Sequence, residues 1–557
     1  MELLAFKRQQ QPSDNMIDLL SEETLIEILS YLNLNELSVI SRVSTRFNRL
    51  FEDPQLWKTM FHLRWGDRQL KYPFLPALDQ RTRPPHPSSL AILGSQADRK
   101  GKGREQAVVE QVQLGYTWKN LCRISLNWQT GSAHITRLIP PVEDSRHQSR
   151  HPSIIVRFYR SLIFTASRVR TSSSPPVVNV YQLQRDQESQ DSKPQPIGYL
   201  TSAKLDFSNL GMVGISEIRV DERCNIESVM DELPFSNQNS VILAVFYTTG
   251  QFACFQIGIP LSSDILNELD VTEVYASTEM LVRSGQGEMH HQTAEVARLY
   301  YPLLVTCSTD FFLRFYELRQ TGDNALEVRK LRFDMRSQTC FWPLSINLTA
   351  LDIATNRFRL IIVYPTPFYP SAWTIGLQEF ELSLSPTPRL LSTRHATARP
   401  HSNIKLGRQS GRPTFGSSPV SGIEYAEPNT VVVARADNNI DTFEYRRWSS
   451  SQAPELLHRQ TLFGHTSRVA AVAVNSSGRC VSAGQDGLNV WELTDGGQVS
   501  GPPVQVGLGW TGCRRVVDWV GFDTEKIVGV FRAGTYGGGE GESGQVMGEE
   551  VRVLSFA

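Results

Sequence analysis

Ser482, His465 and Asp486 are the residue types of a nucleophile, a general base and an orienting carboxylate, the set that acyl transfer uses. No Gly-x-Ser-x-Gly elbow accompanies them, so nothing local lifts the serine onto an exposed strand-to-helix turn. Gly507, Gly509 and Gly512 match Gly-x-Gly-x-x-Gly by letter, but a dinucleotide fingerprint must open a helix. The next residues, CRRVVDWVGF, form a strand-like run, so these glycines read as a loop. There is no Walker-type Gly-Lys-Ser/Thr and no His-Glu-x-x-His. His290-His291 is the only adjacent histidine pair, and its distance upstream of Tyr316 suits a structural position better than a metal site. The cysteines, at 122, 224, 254, 307, 340, 480 and 513, are odd in number, scattered and without a Cys-x-x-Cys pair, which argues against both a zinc site and a disulfide framework. Arg389, Arg394, Arg399, Lys405, Arg408 and Arg412 form a run with hardly an acid, able in principle to grip phosphate or acidic peptide. Interspersed Pro and Ser favour a solvated basic loop instead. No catalytic residue, metal or cofactor is expected.

The whole-chain numbers agree with that. At 557 residues the chain holds several domains, and 40% hydrophobic with 20% charged residues is ordinary for globular protein. A formal net charge of −1 gives no field that would draw nucleic acid or an anionic membrane. No apolar run reaches the roughly 18 residues of a membrane span, and MELLAFKRQQQPSD at the start lacks the apolar core of a signal peptide. Neither nucleic acid nor membrane insertion is expected, and the thiols suit a reducing compartment, cytoplasm or nucleus.

The element that holds the serine and histidine is residues 463–493, FGHTSRVAAVAVNSSGRCVSAGQDGLNVWEL. It reads as strand VAAVAV, turn NSSG, strand RCVSAG, tight turn QDG and strand LNVWEL. With Gly464-His465 and Trp491-Glu492 as its markers, this segment resembles a WD repeat, one four-stranded blade of a β-propeller. The resemblance implies that His465, Ser482, Asp486 and Trp491 form a buried hydrogen-bonded tetrad that fixes the blade rather than attacking substrate. Blades do not stand alone, so weaker copies are expected. LVTCSTDFFLRFYEL (304–318) repeats the hairpin with Asp310 in the turn and Tyr316 in the tryptophan position, and His290-His291 falls where such a blade has Gly-His. VVVARADNNIDTFEY (431–445) does the same with Asp437 and Phe443. Paired strands over 154–183, 213–259, 346–382 and 516–556 bring the count to about seven blades. ITRLIP (135–140) is placed to add the last strand of the final blade and close the ring, removing exposed edges. Surface inserts are expected near 141–152, 184–197, 385–419 and 535–549, where Pro, Ser, Gly and Arg collect.

Ahead of this body stands MIDLLSEETLIEILSYLNLNELSVISRVSTRFNRLFEDPQLWKTMF, residues 16–61. Ser21 caps a first helix with Glu22 and Glu23 at its positive end, and Leu25, Ile28, Leu29 and Leu32 paint one apolar face. Asn35 is placed to cap a second helix carrying Leu37, Ile40 and Val43, Phe47 and Leu50 fall on a third, and Leu56-Trp57 close the unit. About 45 residues bury too little surface for independent stability, so part of the apolar face should serve a partner. The order Leu-x-x-Glu, Ile-Leu-Ser-Tyr-Leu, Glu-Leu, Val-Ser, Phe, Asp-Pro-x-Leu-Trp resembles the F-box, with Ser21 where that family usually has proline. Residues 107–126 recover helical spacing, with Val108, Val112, Trp118, Leu121 and Ile124 facing inward. The Trp-Lys-x-Leu…Asn-Trp-x-x-Gly passage resembles the helical linker of F-box/WD-repeat proteins.

The expected fold class is therefore multidomain: an all-α F-box with helical linker, then an all-β WD-repeat-like propeller. The organisation is a tail at 1–15, F-box at 16–65, flexible linker at 66–106, helical linker at 107–130 and propeller at 131–557. The resemblance implies the substrate-recognition subunit of an SCF (Skp–cullin–F-box) ubiquitin ligase. The F-box would dock on a Skp-family adaptor, cullin and RING subunits would join through it, and the propeller would hold a protein substrate. Carried over by alignment, the adaptor-facing positions are Leu20, Ile28, Leu29, Leu32, Leu37, Val43, Phe47 and Leu50. Relatives that read phosphorylated segments use arginines beside the inner-strand valine and the turn aspartate. Here Ala470 and Gln485 stand in those places, leaving Arg435 and Arg468 nearby as candidate substrate contacts. The alternative is a scaffold or trafficking adaptor acting with the Skp-family partner without ubiquitination.

Overall fold

In the computed structural model the described residues are 17, 20–65, 117–138, 154–168, 175–183, 194–207, 213–225, 240–258, 269–277, 294–308, 310–321, 325–333, 335–336, 341–342, 344–352, 355–368, 372–398, 418–447, 453–494, 497–507, 515–533 and 549–557. They fall into two units divided after Leu126. The expected tail at 1–15, the linker at 66–106 with Val108 and Val112, the insert near 141–152 and, up to residue 548, the insert near 535–549 lie outside the described residues, while Glu549 begins the last strand.

The first unit is helical: α1 (Glu22–Ser30), α2 (Leu34–Ile40), α3 (Thr45–Phe51), α4 (Pro54–Trp65), and the first part of α5 (Trp118–Thr130). Each start has a local cause. Ser21 Oγ accepts the Thr24 amide at 3.3 Å, and Glu22 and Glu23 sit in the positive first turn of α1. The cap of α2 is Asn33, not the expected Asn35: its side chain accepts the Glu36 amide at 2.8 Å while Glu36 takes the Asn33 amide at 2.9 Å, a closed capping box. Val43 accordingly lies beyond α2, in the turn that leads to α3. Ser44 caps α3, and Asp53 accepts the Gln55 amide at 2.8 Å ahead of Pro54, the first residue of α4. Leu25, Leu29, Leu37, Leu50, Leu56, Met60, Phe61 and Trp65 make the core, joined by Trp118, Leu121 and Cys122 from α5. Trp57 donates its indole N–H to the Phe51 carbonyl at 2.6 Å, and Arg46 donates to the Leu20 carbonyl at 2.6 Å.

The second unit is a seven-bladed β-propeller. Its four-stranded antiparallel meanders run over 154–200, 215–276, 294–336, 345–397, 420–462 and 469–506 (blades 1 to 6). A short extra strand, Met335–Arg336, pairs in blade 3. Blade 7 takes three strands from 515–555 and its outer strand from the other end of the chain: His134–Leu138 pairs antiparallel with 551–555, His134 opposite Ser555 and Leu138 opposite Val551. The ring thus closes by backbone hydrogen bonds, and the edge that 549–555 would otherwise leave open is paired.

Two features repeat around the ring. First strands of successive blades pack on one another, so they form the inner wall. In blades 2, 3, 5, 6 and 7 the pairing of first and second strands shifts near its start, at Ile215/Glu217, Ala294/Val296, Val420/Gly422, Val469/Ala471 and Val517/Trp519, a bulge that sharpens the twist. Apolar cores then lie between neighbouring blades. Phe164, Val245 and Phe255 fill the space between blades 1 and 2, and Ile346, Leu360 and Phe315 that between blades 3 and 4. The last residues of α5 belong to this unit. Trp128 stacks on Phe556 with centroids 3.9 Å apart and donates to the Thr524 carbonyl at 2.9 Å, while the Asn127 amide reaches the Phe556 carbonyl at 2.9 Å.

One expected insert is corrected. Within 385–419, residues Arg389–Thr397 are the outer strand of blade 4, paired along Gly376–Ser383. Their side chains are mostly exposed because an outer strand has a neighbour on one side only, which is why the segment lacks the alternation of an inner strand. Within 184–197, Pro194–Ile197 lead directly into the fourth strand of blade 1, where the Ile197 amide donates to the Val180 carbonyl at 2.8 Å.

Candidate functional sites

The eight residues expected to face an adaptor divide in the structure. Leu29, Leu37 and Leu50 are 4% exposed or less and hold the helical unit together, so they are corrected from surface to core. An amphipathic stripe marks what must be covered, and here the unit's own helices cover it. Leu20, Leu32 and Phe47 are half-buried. Ile28 and Val43 are open, at 49% and 69% exposure, and two residues outside the expected set join them: Tyr31 at 71% and Val39 at 65%. Ile28 and Tyr31 are one turn apart at the end of α1, and Val39 and Val43 straddle the end of α2. Tyr31 and Val39 lie off the buried stripe, so the stripe alone does not point to them.

In blade 6 the structure brings His465, Ser482, Asp486 and Trp491 together. His465 Nδ1 lies 2.8 Å from Asp486 Oδ1, His465 Nε2 lies 2.7 Å from Ser482 Oγ, and the Trp491 indole N–H donates to Ser482 Oγ at 2.8 Å. A neutral imidazole protonated at Nδ1 satisfies every partner, with the serine hydroxyl donating to Nε2 and accepting from the indole. This proton order is that of a hydrolytic triad, but Ser482 is 0% exposed and no acyl group can approach it. Asp486 also accepts from the Thr466 amide at 2.6 Å and the Ser467 hydroxyl at 2.7 Å. Burial works to raise its pKa, but the hydrogen bonds from His465, Thr466 and Ser467 prevail and hold the carboxyl below its ordinary value. The constellation ties the connection before the blade to its tight turn.

Arg435 and Arg468 differ in kind. Arg435 is 5% exposed, with its Nε 2.5 Å from Asp441 and an Nη donating to the Ser418 carbonyl at 3.2 Å. Its guanidinium is committed inside blade 5, and the reading of Arg435 as a substrate contact is corrected on that ground. Asp441 also accepts from Thr461 Oγ1 at 2.6 Å. Burial would raise the Asp441 pKa, but bonds from His458 and Thr461 and the charge of Arg435 bring it down to about 2. Arg468 is exposed and forms no ion pair with another described residue.

The inner wall carries a second polar network. Arg157 of blade 1 pairs with Glu217 of blade 2 at 2.6 Å, Arg219 lies 3.4 Å from the same carboxylate, and Arg298 of blade 3 lies 3.3 Å from Glu222 and 3.9 Å from Glu424 of blade 5. Ser345 of blade 4 donates to Glu424 at 2.8 Å. Three guanidiniums face three carboxylates, so the network is balanced and links blades rather than offering charge to a ligand. Among the described residues no group of His, Cys, Asp and Glu is arranged to hold a metal. Cys122, Cys254, Cys307 and Cys480 are buried and in no disulfide, and burial pushes the Cys122 and Cys254 thiols up to about 12. Of the basic run, Arg389 and Arg394 lie on the outer strand of blade 4, with Arg394 3.9 Å from Glu381. His290-His291, Gly509 and Gly512, and Arg399, Lys405, Arg408 and Arg412 lie outside the described residues. No described helix is long and apolar enough to cross a membrane.

Comparison with known proteins adds two family matches. Residues 22–63 match the F-box-like family, and residues 228–506, half of the chain, match the family described as the F-box protein pof12 β-propeller. No curated protein sequence matches the chain. Among solved structures there is similarity to Sqt1 from Chaetomium thermophilum, at 13% identity and TM-score 0.34, covering 67% of this chain and 91% of that one. The Cps50 (Swd1) β-propeller domain of Myceliophteria thermophila is similar at 9% identity and TM-score 0.35, covering 75% and 99%. The WD40 β-propeller domain of Doa1 is similar at 12% identity and TM-score 0.29, covering 70% and 88%. At such scores these likenesses carry no argument, and the propeller rests on its own strand pairing.

Proposed function

Because the chain belongs to the family of F-box proteins that carry a pof12-type β-propeller, we propose that it is the substrate-recognition subunit of an SCF-type ubiquitin ligase. In this reading the F-box docks on a Skp-family adaptor, which brings cullin, RING protein and a charged ubiquitin-conjugating enzyme. The propeller holds a protein substrate, and no covalent step takes place on this chain. Its contribution is proximity: an acceptor lysine held near the charged ubiquitin reacts at a much raised effective concentration. The protein would work inside the cell, where free thiols such as Cys254 and Cys480 persist.

The observation that carries the reading is the open apolar set Ile28, Tyr31, Val39 and Val43 on a helical unit of F-box sequence. The exposure of these side chains on so small a unit supports a docking face there. The adaptor-facing set proposed here is these four together with half-buried Leu20, Leu32 and Phe47. The test is capture of the full chain from cells under gentle conditions. Adaptor and cullin together support the ligase subunit, adaptor without cullin supports the scaffold alternative, and absence of the adaptor overturns both.

A further inference from the structure

An open cleft of about 520 Å³ lies between blades 4 and 5, lined by Arg359, Pro428, Asn429, Tyr445, Arg446 and Arg447. The strand order puts it at one end of the blades. Arg359 stands near the start of the second strand of blade 4, and Pro428 and Asn429 turn the chain from first to second strand of blade 5. Tyr445, Arg446 and Arg447 stand where the third strand of blade 5 ends. Asp437 and Asp486, in turns between second and third strands, and Arg468, just before a first strand, belong to the opposite end.

Three guanidiniums line this cleft and no carboxylate does. The carboxylates stand behind them. Glu427 takes Arg359 and the Thr349 hydroxyl, and Glu379 takes Arg447 and the Tyr445 hydroxyl. Glu381 lies 3.0 Å from Arg447, 3.6 Å from Arg357 and 3.9 Å from Arg394, while Glu444 takes Arg446 at 3.1 Å and also Arg459. These four carboxylates are 22% exposed or less, whereas five of the six arginine side chains are 25% exposed or more. Asp352 and Glu455 share this end of the blades, but neither pairs with these arginines. The residues of blades 4 and 5 outside the described set, 353–354, 369–371, 399–417 and 448–452, include no Asp or Glu. Arg446 spends only its Nε, on Glu444, and its two Nη groups meet no described acceptor.

A guanidinium edge with two N–H groups to spare matches the two oxygens of a planar carboxylate, and further guanidiniums beside it favour an anion and repel a cation. We propose that this cleft receives an aspartate or glutamate side chain of an acidic protein segment, with Arg446 as the fork and Arg359 and Arg447 as flanking charge. This deepens the receptor reading by naming a substrate chemistry, and it rests on the propeller being the substrate-holding part. It also places that contact at the end of the blades away from Arg468.

The test titrates the full chain with fluorescein-labelled hexaglutamate, and with hexalysine as the opposite charge, at physiological salt. Arg446→Gln and Asn429→Asp should each weaken hexaglutamate binding by about tenfold, the scale of one charge-assisted hydrogen bond lost or one like charge added. Arg468→Gln, the same change at the opposite end, should leave it unaltered. Glu444 keeps Arg459 when Arg446 is replaced, and Asn429→Asp is nearly isosteric, so one variant stands should the other unfold. Excess inorganic phosphate at constant ionic strength should not displace the peptide. The proposal is overturned if hexaglutamate does not bind, if both variants bind it like wild type, or if Arg468→Gln weakens it equally. Tighter binding of hexalysine, or displacement by phosphate, overturns it too. Adaptor capture by the wild-type chain is read in parallel. Failure to capture the adaptor strikes the receptor reading and leaves the peptide result standing, whereas capture with peptide binding unaltered by the variants strikes this inference alone.

Discussion

Val39→Asp with Val43→Asp should abolish adaptor binding while leaving the protein folded. Burying a valine fully is worth roughly 1.5 kcal/mol, and with 65% and 69% of these side chains open, about 1 kcal/mol remains to be gained at each. Losing both costs about 2 kcal/mol, roughly thirtyfold in affinity. Two carboxylates pressed into an apolar contact without partners add several kcal/mol of desolvation, so the total passes about 4 kcal/mol and a thousandfold. Inside the free chain the same aspartates remain in water, and the cost to folding is limited to about 0.3–1 kcal/mol from negative charge near the end of α2. Leu29→Asp makes the contrasting case. At 4% exposure it drives a charge into the core, and the unit should unfold, which makes any loss of adaptor uninformative. The assay is a binding titration of purified full chain against the adaptor, with a thermal melt of each variant. If the double variant binds within threefold of wild type and melts normally, the exposed set is not the docking face.

Asp486→Ala should leave His465 without its acceptor at a cost of roughly 1–3 kcal/mol, seen as a lower melting temperature, while a fluorophosphonate probe leaves Ser482 unlabelled before and after. Asp441, held at about 2 against an ordinary 3.8, contributes about 2 kcal/mol that is present above pH 4 and lost as pH falls toward 2. Arg435→Leu should strand this carboxylate, destabilise the fold by about 3 kcal/mol and move the acid-unfolding midpoint upward. Replacing Thr136 by proline should break the ladder that closes blade 7, where Thr136 pairs with Val553, and a lower melting temperature with increased association through the freed edge is expected.

The sequence told most where polar side chains had to be particular. His465, Ser482, Asp486 and Trp491 stand in a buried chain of hydrogen bonds, so their types and spacing mark a blade even from one copy. Blades whose turns are held otherwise, such as blade 5 with Arg435, Asp441 and Thr461, retain only the strand rhythm. The outer strand Arg389–Thr397 was hidden because exposed Arg, Ser and Thr give it the composition of a loop. At α2, Asn33 and Asn35 are the same residue type two positions apart, and only Asn33 has a glutamate three residues on, the signature of the capping box. The helical stripe was legible, but a stripe does not say whose surface covers it. Leu29, Leu37 and Leu50 turned inward while Tyr31 and Val39, off the stripe, turned out.

Protein half-lives in cells making the full chain, wild type or Val39→Asp/Val43→Asp, test the central claim most directly. The variant keeps the propeller intact and should still capture substrate while losing the adaptor. The account predicts that proteins captured by both forms decay faster with wild type and persist with the variant, which shields them without delivering them. If every captured protein decays at one rate in both cells while adaptor binding differs as expected, the chain is not a ubiquitin-ligase substrate receptor.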